Sequence, residues 1–296
     1  MQYLNKKLKI FWLKGFLNSS LLAIIGMMKS LWFRSFDYVW NRFPSLNRPV
    51  WKAWYHYASS LDKEASMVFM NYGYADGGKN KLKHADEKDR YCIQLYHHVV
   101  DAVNLKGKEL LKVGCGRGGG ASYIVRCLNP KSMTGTDFSR KAIEFCEKHY
   151  STRSRSFFVG VAECLPFEDE KFDVVINIES SHCYVDMEKF LGEVFRILKP
   201  SGHFLFADFR RRSEMKFLVH QLKKCGFKLI RKEDITKNVL KALDLDNKRK
   251  NSLIEQKVPK IFQKTFMQFA GVNGSEIYES FKSREREYFN FIIQKK

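Results

Sequence analysis

The sequence contains little that could build a disulfide framework or a metal cluster. Its 7 cysteines are scattered singly, and none of them forms a Cys-x-x-Cys pair. An odd number of isolated cysteines argues against a disulfide scaffold and predicts a reducing compartment. Histidine and cysteine also never cluster at metal-ligand spacing, so we expect no metal site.

The sequence also lacks an apolar run long enough to cross a membrane comfortably. The run 16–28 lies between Lys14 and Lys29, whereas a spanning helix needs about 20 apolar residues. No small-residue cleavage site follows the run, which argues against a signal peptide. We expect a helix that lies in the membrane interface, anchored by Trp12 and Trp32. A helix packed on the protein's own core is the alternative.

The sequence has fewer acidic than basic residues. The chain has 52 Lys and Arg against 32 Asp and Glu, a formal net charge of +20. This balance favours contact with anions such as phosphates, acidic lipid head groups or nucleic acid, without choosing between them. The basic residues are spread along the chain and form one tight arginine cluster, 210–212, a distribution typical of a solvated surface.

Residues 1–65 differ from residues 66–296 in composition and in hydrophobic pattern. The first part is basic and aromatic, has no alternating strand pattern, and is expected to form a helical extension. In the second part, short apolar runs alternate with helical stretches, as in a parallel sheet with crossover helices. These runs are 110–113, 133–136, 157–159, 174–178, 204–207 and 227–230. We therefore predict an α/β fold with a doubly wound, Rossmann-like sheet, a charged helical lid or linker at 244–260, and an aromatic C-terminal cap at 262–291.

A glycine-rich turn follows the first of these predicted strands. It contains Gly114, Cys115, Gly116 and Gly118. Glycine lets the backbone approach a ligand closely and tolerates a positive φ. Asp137 closes the next strand about 20 residues further on, where a carboxylate can accept hydrogen bonds from ribose hydroxyls. The pair predicts an adenosine-containing cofactor, and nicotinamide enzymes and methyltransferases share it equally.

Downstream motifs decide between these cofactors. The segments GVAECLPF (160–167), FDVV (172–175) and LKPSGH (198–203) resemble, in order and spacing, the motifs of class I S-adenosylmethionine (SAM)-dependent methyltransferases. The chain also resembles bacterial phthiotriolone/phenolphthiotriolone dimycocerosates methyltransferases, which are lipid O-methyltransferases. That likeness covers roughly residues 50–296 and includes FMNYGY (69–74), ESSHCY (179–184) and FAGVNG (269–274).

The resemblance implies a Rossmann-like SAM-methyltransferase domain that uses SAM as its cofactor. The acceptor would be a small molecule, a hydroxyl-bearing lipid or polyketide-like compound. The first 50 residues lie largely outside the resemblance; the cysteine usage predicts a cytoplasmic enzyme, and the N-terminal helix would add a membrane surface as a further partner. The residues implied to hold SAM are Tyr72, Tyr74, Gly114, Cys115, Gly116, Gly118, Asp137, Phe138, Ala162, Glu163 and Glu179.

The candidate catalytic residues lie in the loop after the fourth predicted strand. Doubly wound folds bind ligands at the carboxyl ends of their strands, where this loop begins. An imidazole titrates near neutral pH, so we predict that His182 is the general base. Glu179 would orient His182 or contact the methionine end of the cofactor. Burial as an ordinary polar contact is the alternative for His182, as core packing is for Tyr72 and Tyr74.

Two positions depart from the family pattern. Family members usually carry an acidic residue where this chain has Lys112, and an aspartate where it has Val161. Losing a hydrogen bond to a charged group costs about 1.5–3 kcal/mol, so we expect weaker SAM binding. A catalytically degenerate protein that keeps the fold is therefore one alternative. An RNA methyltransferase is a weaker one, because residues 177–180 lack the Asn/Asp-Pro-Pro-Tyr/Phe turn of enzymes that methylate exocyclic amino groups of bases.

Overall fold

The computed structural model describes residues 67–78 and 82–296. The predicted N-terminal extension, residues 1–65, and its membrane-interface helix lie outside the described residues. Within the described part of the chain, no helix is both long enough and apolar enough to cross a membrane.

Seven strands form one mixed sheet in the described residues. They are β1 (Glu109–Val113), β2 (Ser132–Asp137), β3 (Arg155–Val159), β4 (Phe172–Ile178), β5 (Leu198–Arg211), β6 (Phe227–Asp234) and β7 (Arg286–Lys295). Their spatial order is β3-β2-β1-β4-β5-β7-β6. Strands β1 to β5 run parallel to one another, and β7 lies antiparallel between β5 and β6.

Eight α-helices connect these strands in the described part of the chain. They are α1 (Arg90–Val100), α2 (Gly119–Leu128), α3 (Arg140–Tyr150), α4 (Met187–Ile197), α5 (Met215–Lys224), α6 (Thr236–Lys257), α7 (Lys260–Ala270) and α8 (Glu276–Lys282). Short 3₁₀ turns span His84–Asp89 and Ser181–Cys183. The last three α-helices are inserted between β6 and β7. Helix α6 covers most of the expected lid or linker, 244–260, and α7 and α8 lie largely within the expected cap, 262–291.

The sheet has a hydrophobic core on each face because successive strand residues point to opposite sides. Leu110 of β1 belongs to one core, which α1 and α2 cover, and Leu111 belongs to the other, which α4 and α5 cover. Helices on both faces of a mostly parallel sheet confirm the predicted doubly wound α/β fold. Each of the six predicted apolar runs lies within one of β1 to β6.

The seventh strand was not predicted, because its residues were assigned only to an aromatic C-terminal cap. Strand β7 pairs with neighbours on both edges and is buried on both faces along most of its length. A strand buried in this way reads as a short, nearly continuous apolar run, here YFNFII (288–293), which periodicity alone does not distinguish from a buried helix.

Gly120, in the first turn of α2, lies where no side chain fits. A Cβ atom at this position would lie 2.0 Å from Cζ of the Tyr96 ring. Both residues are buried, so the ring has little room to move. We therefore expect Gly120→Ala to lower the free energy of unfolding by about 3 kcal/mol in denaturant titrations.

Gly192, in the middle of α4, provides the matched control for that substitution. A Cβ atom there would meet nothing within 4 Å. Gly192→Ala should raise the free energy of unfolding by about 0.5–1 kcal/mol, because alanine favours the helix. Equal effects of the two substitutions would show that contact with Tyr96 does not cause the loss of stability in Gly120→Ala.

Candidate active site

The predicted site residues meet at one edge of the sheet. Strands β1 to β4 are parallel, so the turn after β1 and the loops after β2, β3 and β4 all leave from their carboxyl ends. The strand order reverses between β1 and β4. Ligands of doubly wound folds bind at this kind of switch point.

The glycine turn after β1 needs residues without a Cβ. Gly114, Gly116 and Gly118 have φ values of 68°, 53° and 77°, a left-handed region that glycine adopts at little cost. A Cβ on Gly114 would lie 2.4 Å from Oγ of Ser180. The turn is therefore packed closely against the loop that follows β4.

Asp137, at the end of β2, contacts this turn directly. The backbone N–H of Gly116 donates to Oδ2 of Asp137 over 2.9 Å, and the N–H of Ser139 donates to Oδ1 over 3.0 Å. The structure thus brings together the glycine and the carboxylate that the sequence pairs. Phe138, the next residue, is half-buried beside them.

Lys112 is buried beneath the turn. Its Nζ donates to the carbonyl oxygen of Gly114 over 2.8 Å and lies 5.4 Å from the centre of the Tyr96 ring. The side chain is only 1% exposed. The ammonium group of Lys112 therefore stabilises the turn through a hydrogen bond to a backbone carbonyl of the turn. Family members usually carry an acidic residue at position 112.

Glu179, directly after β4, is held from two distant parts of the chain. Its Oε1 accepts hydrogen bonds from the backbone N–H of Tyr72 over 2.8 Å and from Oη of Tyr288 over 3.0 Å. Burial, the largest effect, raises the pKa of Glu179 to about 7. Near neutral pH this carboxyl group can therefore exchange a proton.

His182 pairs with Asp208, which lies on β5. Nδ1 of His182 is 2.9 Å from Oδ1 of Asp208, and the backbone N–H of His182 donates to Oδ2 over 3.1 Å. The hydroxyl of Ser181 donates to Oδ2 over 2.6 Å, and the Arg210 guanidinium lies 3.4 Å from the same oxygen. The backbone N–H of Phe209 also donates to Oδ1, so two cationic side chains and three further donors surround one buried carboxylate.

These contacts determine the charge of the pair. Burial opposes ionisation of Asp208, but His182 and Arg210 hold the pKa of its carboxyl well below the usual range. Burial also opposes a charged His182 ring, but Cys183 and Asp208 raise the pKa of His182 to about 10. A protonated imidazole cannot accept a proton, so this geometry favours Glu179 over His182 as a general base.

The two predicted tyrosines lie in different surroundings. The Tyr72 ring contacts Phe209 and Phe281, with ring centres 5.6 Å and 5.8 Å away. The Tyr74 ring stacks on His98 with centres 4.1 Å apart and belongs to the core beside α1. The structure therefore brings Tyr72, but not Tyr74, to Glu179, and it favours core packing for Tyr74.

The remaining predicted residues follow β1 and β3. Cys115 is buried in the glycine turn, and its backbone N–H donates to the carbonyl oxygen of Thr136. Ala162 is buried, and Oε1 of Glu163 accepts the backbone N–H of Val185 over 2.9 Å. Glu163 thereby ties the loop after β3 to the loop after β4.

An apolar cavity of about 180 Å³ adjoins the turn. Segment 67–72, the glycine turn, and helices α1, α6 and α7 contribute to its walls. It is lined by Met67, Phe69, Met70, Asn71, Tyr72, Asp89, Cys92, Arg117, Arg249, Lys250, Leu253, Ile254, Phe266, Phe269 and Ala270. Pockets of mainly apolar walls with a few polar groups are typical small-molecule sites.

Comparison with known proteins agrees with this geometry. A model of the methyltransferase domain matches residues 111–206. A phthiotriol/phenolphthiotriol dimycocerosates methyltransferase of Mycobacterium tuberculosis is 34% identical over 253 residues, which cover 85% of this chain and 94% of that protein. The chain belongs to this methyltransferase family. It is a SAM-dependent methyltransferase, as its motifs predicted.

Two further matches extend the comparison. A fatty-acid O-methyltransferase of Mycolicibacterium smegmatis is 34% identical to this methyltransferase, over 81% of this chain and 88% of that protein. The solved structure of a cyclopropane synthase, MmaA2 of Mycobacterium tuberculosis, has a TM-score of 0.62 at 16% identity and covers 79% of this chain and 95% of that one. At this low identity the structural match shows a shared fold.

The turn of this methyltransferase has open space beside one of its glycines. A Cβ on Gly114, Gly118, Gly119 or Gly120 would lie within 3 Å of another atom, whereas at Gly116 the nearest atom is Sδ of Met70 at 3.9 Å. Open backbone at Gly116, beside the Asp137 carboxylate, fits an adenosine-bearing cofactor. Val161 has no side-chain hydrogen-bond acceptor, unlike the aspartate that family members usually carry at that position.

The sequence did not reveal every residue of this site. Asp208 follows an apolar run of β5 as Asp137 follows the apolar run of β2, which is a weak local signal. Tyr288 lies on the unpredicted strand β7 and gives no local signal. Lys250, on the charged helix α6, is one basic residue among many.

Proposed function

We propose that this enzyme transfers the methyl group of SAM to a hydroxyl oxygen of a lipid-like or polyketide-like acceptor. The observation that carries the proposal is that Glu179, whose pKa is raised to about 7, is hydrogen-bonded to a residue that lines an apolar cavity. Tyr72 lines that cavity and donates its backbone N–H to Glu179. A group that can take a proton near neutral pH is therefore separated by one residue, Tyr72, from space for an apolar molecule.

The proposed roles follow from these contacts. Bound SAM supplies an electrophilic methyl group, and the acceptor hydroxyl must lose a proton as it attacks. We assign that proton to Glu179. His182, charged and held by Asp208, acts as a positioning residue and stabilises negative charge near the acceptor oxygen.

The cofactor would be held at the carboxyl ends of β1, β2 and β3. Gly116 and Asp137 have the strongest geometric support, since they already share a hydrogen bond. The other proposed contacts are Tyr72, Gly114, Cys115, Gly118, Phe138, Ala162, Glu163 and Glu179. Tyr74 has the weakest support because its ring lies against His98.

The names of the relatives support an apolar acceptor. The two curated relatives act on dimycocerosates and on fatty acids. The phenylalanines of α7 that line the cavity offer a similar apolar surface here.

Incubation of the full-length enzyme with methyl-labelled SAM and a lipid extract tests the proposed function. We expect label in an apolar product, and mass spectrometry should locate the methyl group on oxygen. The matched reaction with Glu179→Gln enzyme should give almost no labelled product. Label on carbon or nitrogen, or transfer to RNA instead of lipid, would contradict the proposal.

We also propose that residues 1–65 form a basic extension that brings a cytoplasmic enzyme to a membrane surface. Their lysines and tryptophans support this. We expect the full chain to sediment with vesicles containing phosphatidylglycerol, and binding to fall in high salt because surface charges are screened. Equal sedimentation of a chain that starts at residue 66 would contradict this proposal.

A further inference from the structure

The cavity beside segment 67–72 carries charged side chains as well as apolar walls. Phe266 and Phe269 of α7 and Leu253 and Ile254 of α6 supply apolar walls. The positively charged lining residues of the cavity are Arg249 and Lys250, also on α6, and Arg117 of the glycine turn, whose guanidinium lies over the Phe145 ring. In an apolar pocket, a few polar groups determine which ligand is accepted.

Arg249 is neutralised within the protein. Its guanidinium contacts both carboxylate oxygens of Asp246 over 2.6 Å and lies 3.6 Å from Asp89. Both aspartates are buried. Two carboxylates therefore already balance the charge of Arg249.

Lys250 has no such carboxylate partner in the part of the chain that the structure describes. Its Nζ donates to the carbonyl oxygen of Ala270 over 3.0 Å and lies 5.7 Å from the centre of the Tyr72 ring. Among the described residues, no carboxylate forms an ion pair with this ammonium group. An ammonium group has three donors, and burial lowers the pKa of Lys250 because it disfavours the charged form. An anion placed beside Lys250 would therefore be stabilised in this cavity.

We propose that Lys250 binds a carboxylate of the acceptor and that the cavity holds the adjoining part of its apolar chain. Lys250 contacts the ring of Tyr72, whose backbone contacts Glu179. The carboxylate would thus lie close to the hydroxyl that receives the methyl group. This assignment rests on the proposed function and narrows its acceptor class to long-chain hydroxy acids.

Binding measurements test the assignment without turnover. The full-length enzyme is saturated with S-adenosylhomocysteine, and calorimetry compares dodecanoate with dodecan-1-ol, which have equal chain lengths. We expect the wild-type enzyme to bind the carboxylate at least about tenfold more tightly, as a hydrogen bond to a charged group implies. Lys250→Met should abolish this preference by weakening carboxylate binding alone, and Lys250→Arg should retain it.

Lys248→Met on the same helix is the matched control, since Lys248 is exposed and its loss should leave the preference unchanged. Equal weakening of carboxylate and alcohol by Lys250→Met would assign Lys250 to a structural contact between α6 and α7 and overturn the proposal. A matching loss of S-adenosylhomocysteine affinity would assign it to the carboxylate of the cofactor instead. Absence of a carboxylate preference in the wild-type enzyme would also overturn it, even if methyl transfer to lipid hydroxyls is observed.

Discussion

Glu179→Gln should lower kcat at saturating SAM at least about a hundredfold, beyond any loss of SAM affinity from its proposed cofactor contact. A positioned general base contributes about 10²–10⁴ to a rate, and the amide that replaces the carboxylate cannot take the hydroxyl proton. Glutamine keeps an oxygen that can accept from Tyr72 and Tyr288, so the local structure should survive. Steady-state kinetics and calorimetry measure the two quantities separately.

The pH profile checks that Glu179 acts as the base. The pKa of Glu179 is raised to about 7, and a base acts only when deprotonated, so kcat of the wild-type enzyme should rise with pH through about 7. The residual rate of Glu179→Gln should lack this step. Glu144→Gln, at an exposed position on α3, is the matched control. If Glu179→Gln kept its activity within a few-fold of the wild-type value and His182→Gln lost most of its activity, His182 would be the general base instead.

Asp137→Asn should weaken S-adenosylhomocysteine binding by about tenfold to a hundredfold, equivalent to a charged hydrogen bond of about 1.5–3 kcal/mol. The two oxygens of Asp137 each accept a backbone N–H, from Gly116 and from Ser139. An amide has one acceptor oxygen, so its NH₂ group would face one of these donors. The substitution should therefore disturb the turn as well as remove the charge that ribose hydroxyls would meet.

Calorimetry and kinetics together distinguish this effect from a loss of chemistry. At saturating SAM, kcat of Asp137→Asn should stay within a few-fold of the wild-type value. Asp101→Asn provides the same change of net charge at an exposed position and should leave affinity unchanged. Unaltered affinity in Asp137→Asn would remove Asp137 from the cofactor site.

Lys112 departs from the family pattern, and the effect of this departure depends on what surrounds the side chain. From the sequence, it replaces an acidic residue near the methionine end of SAM, and weaker binding is expected. The structure adds that its ammonium group donates to the carbonyl of Gly114 and lies over Tyr96. Weaker SAM binding stays a prediction, but the lysine also has a contact of its own that stabilises the turn.

The sequence by itself determined the fold class, six of the seven strands and the pairing of the glycine turn with Asp137. These features are encoded locally, by short apolar runs and by glycines directly after a strand. Parallel strands then place their carboxyl ends at one edge, so residues that follow different strands meet there without further information.

Only the tertiary structure decided which titratable side chains contact one another and where the cavity lies. Glu179 meets Tyr288 across 109 positions, and His182 meets Asp208 across 26. Burial and neighbouring charges, which depend on packing, move the pKa of Glu179 to about 7 and that of His182 to about 10. The sequence pattern therefore located the loop that carries both residues, but the physical chemistry of their surroundings distinguishes Glu179, the proposed base, from the charged His182.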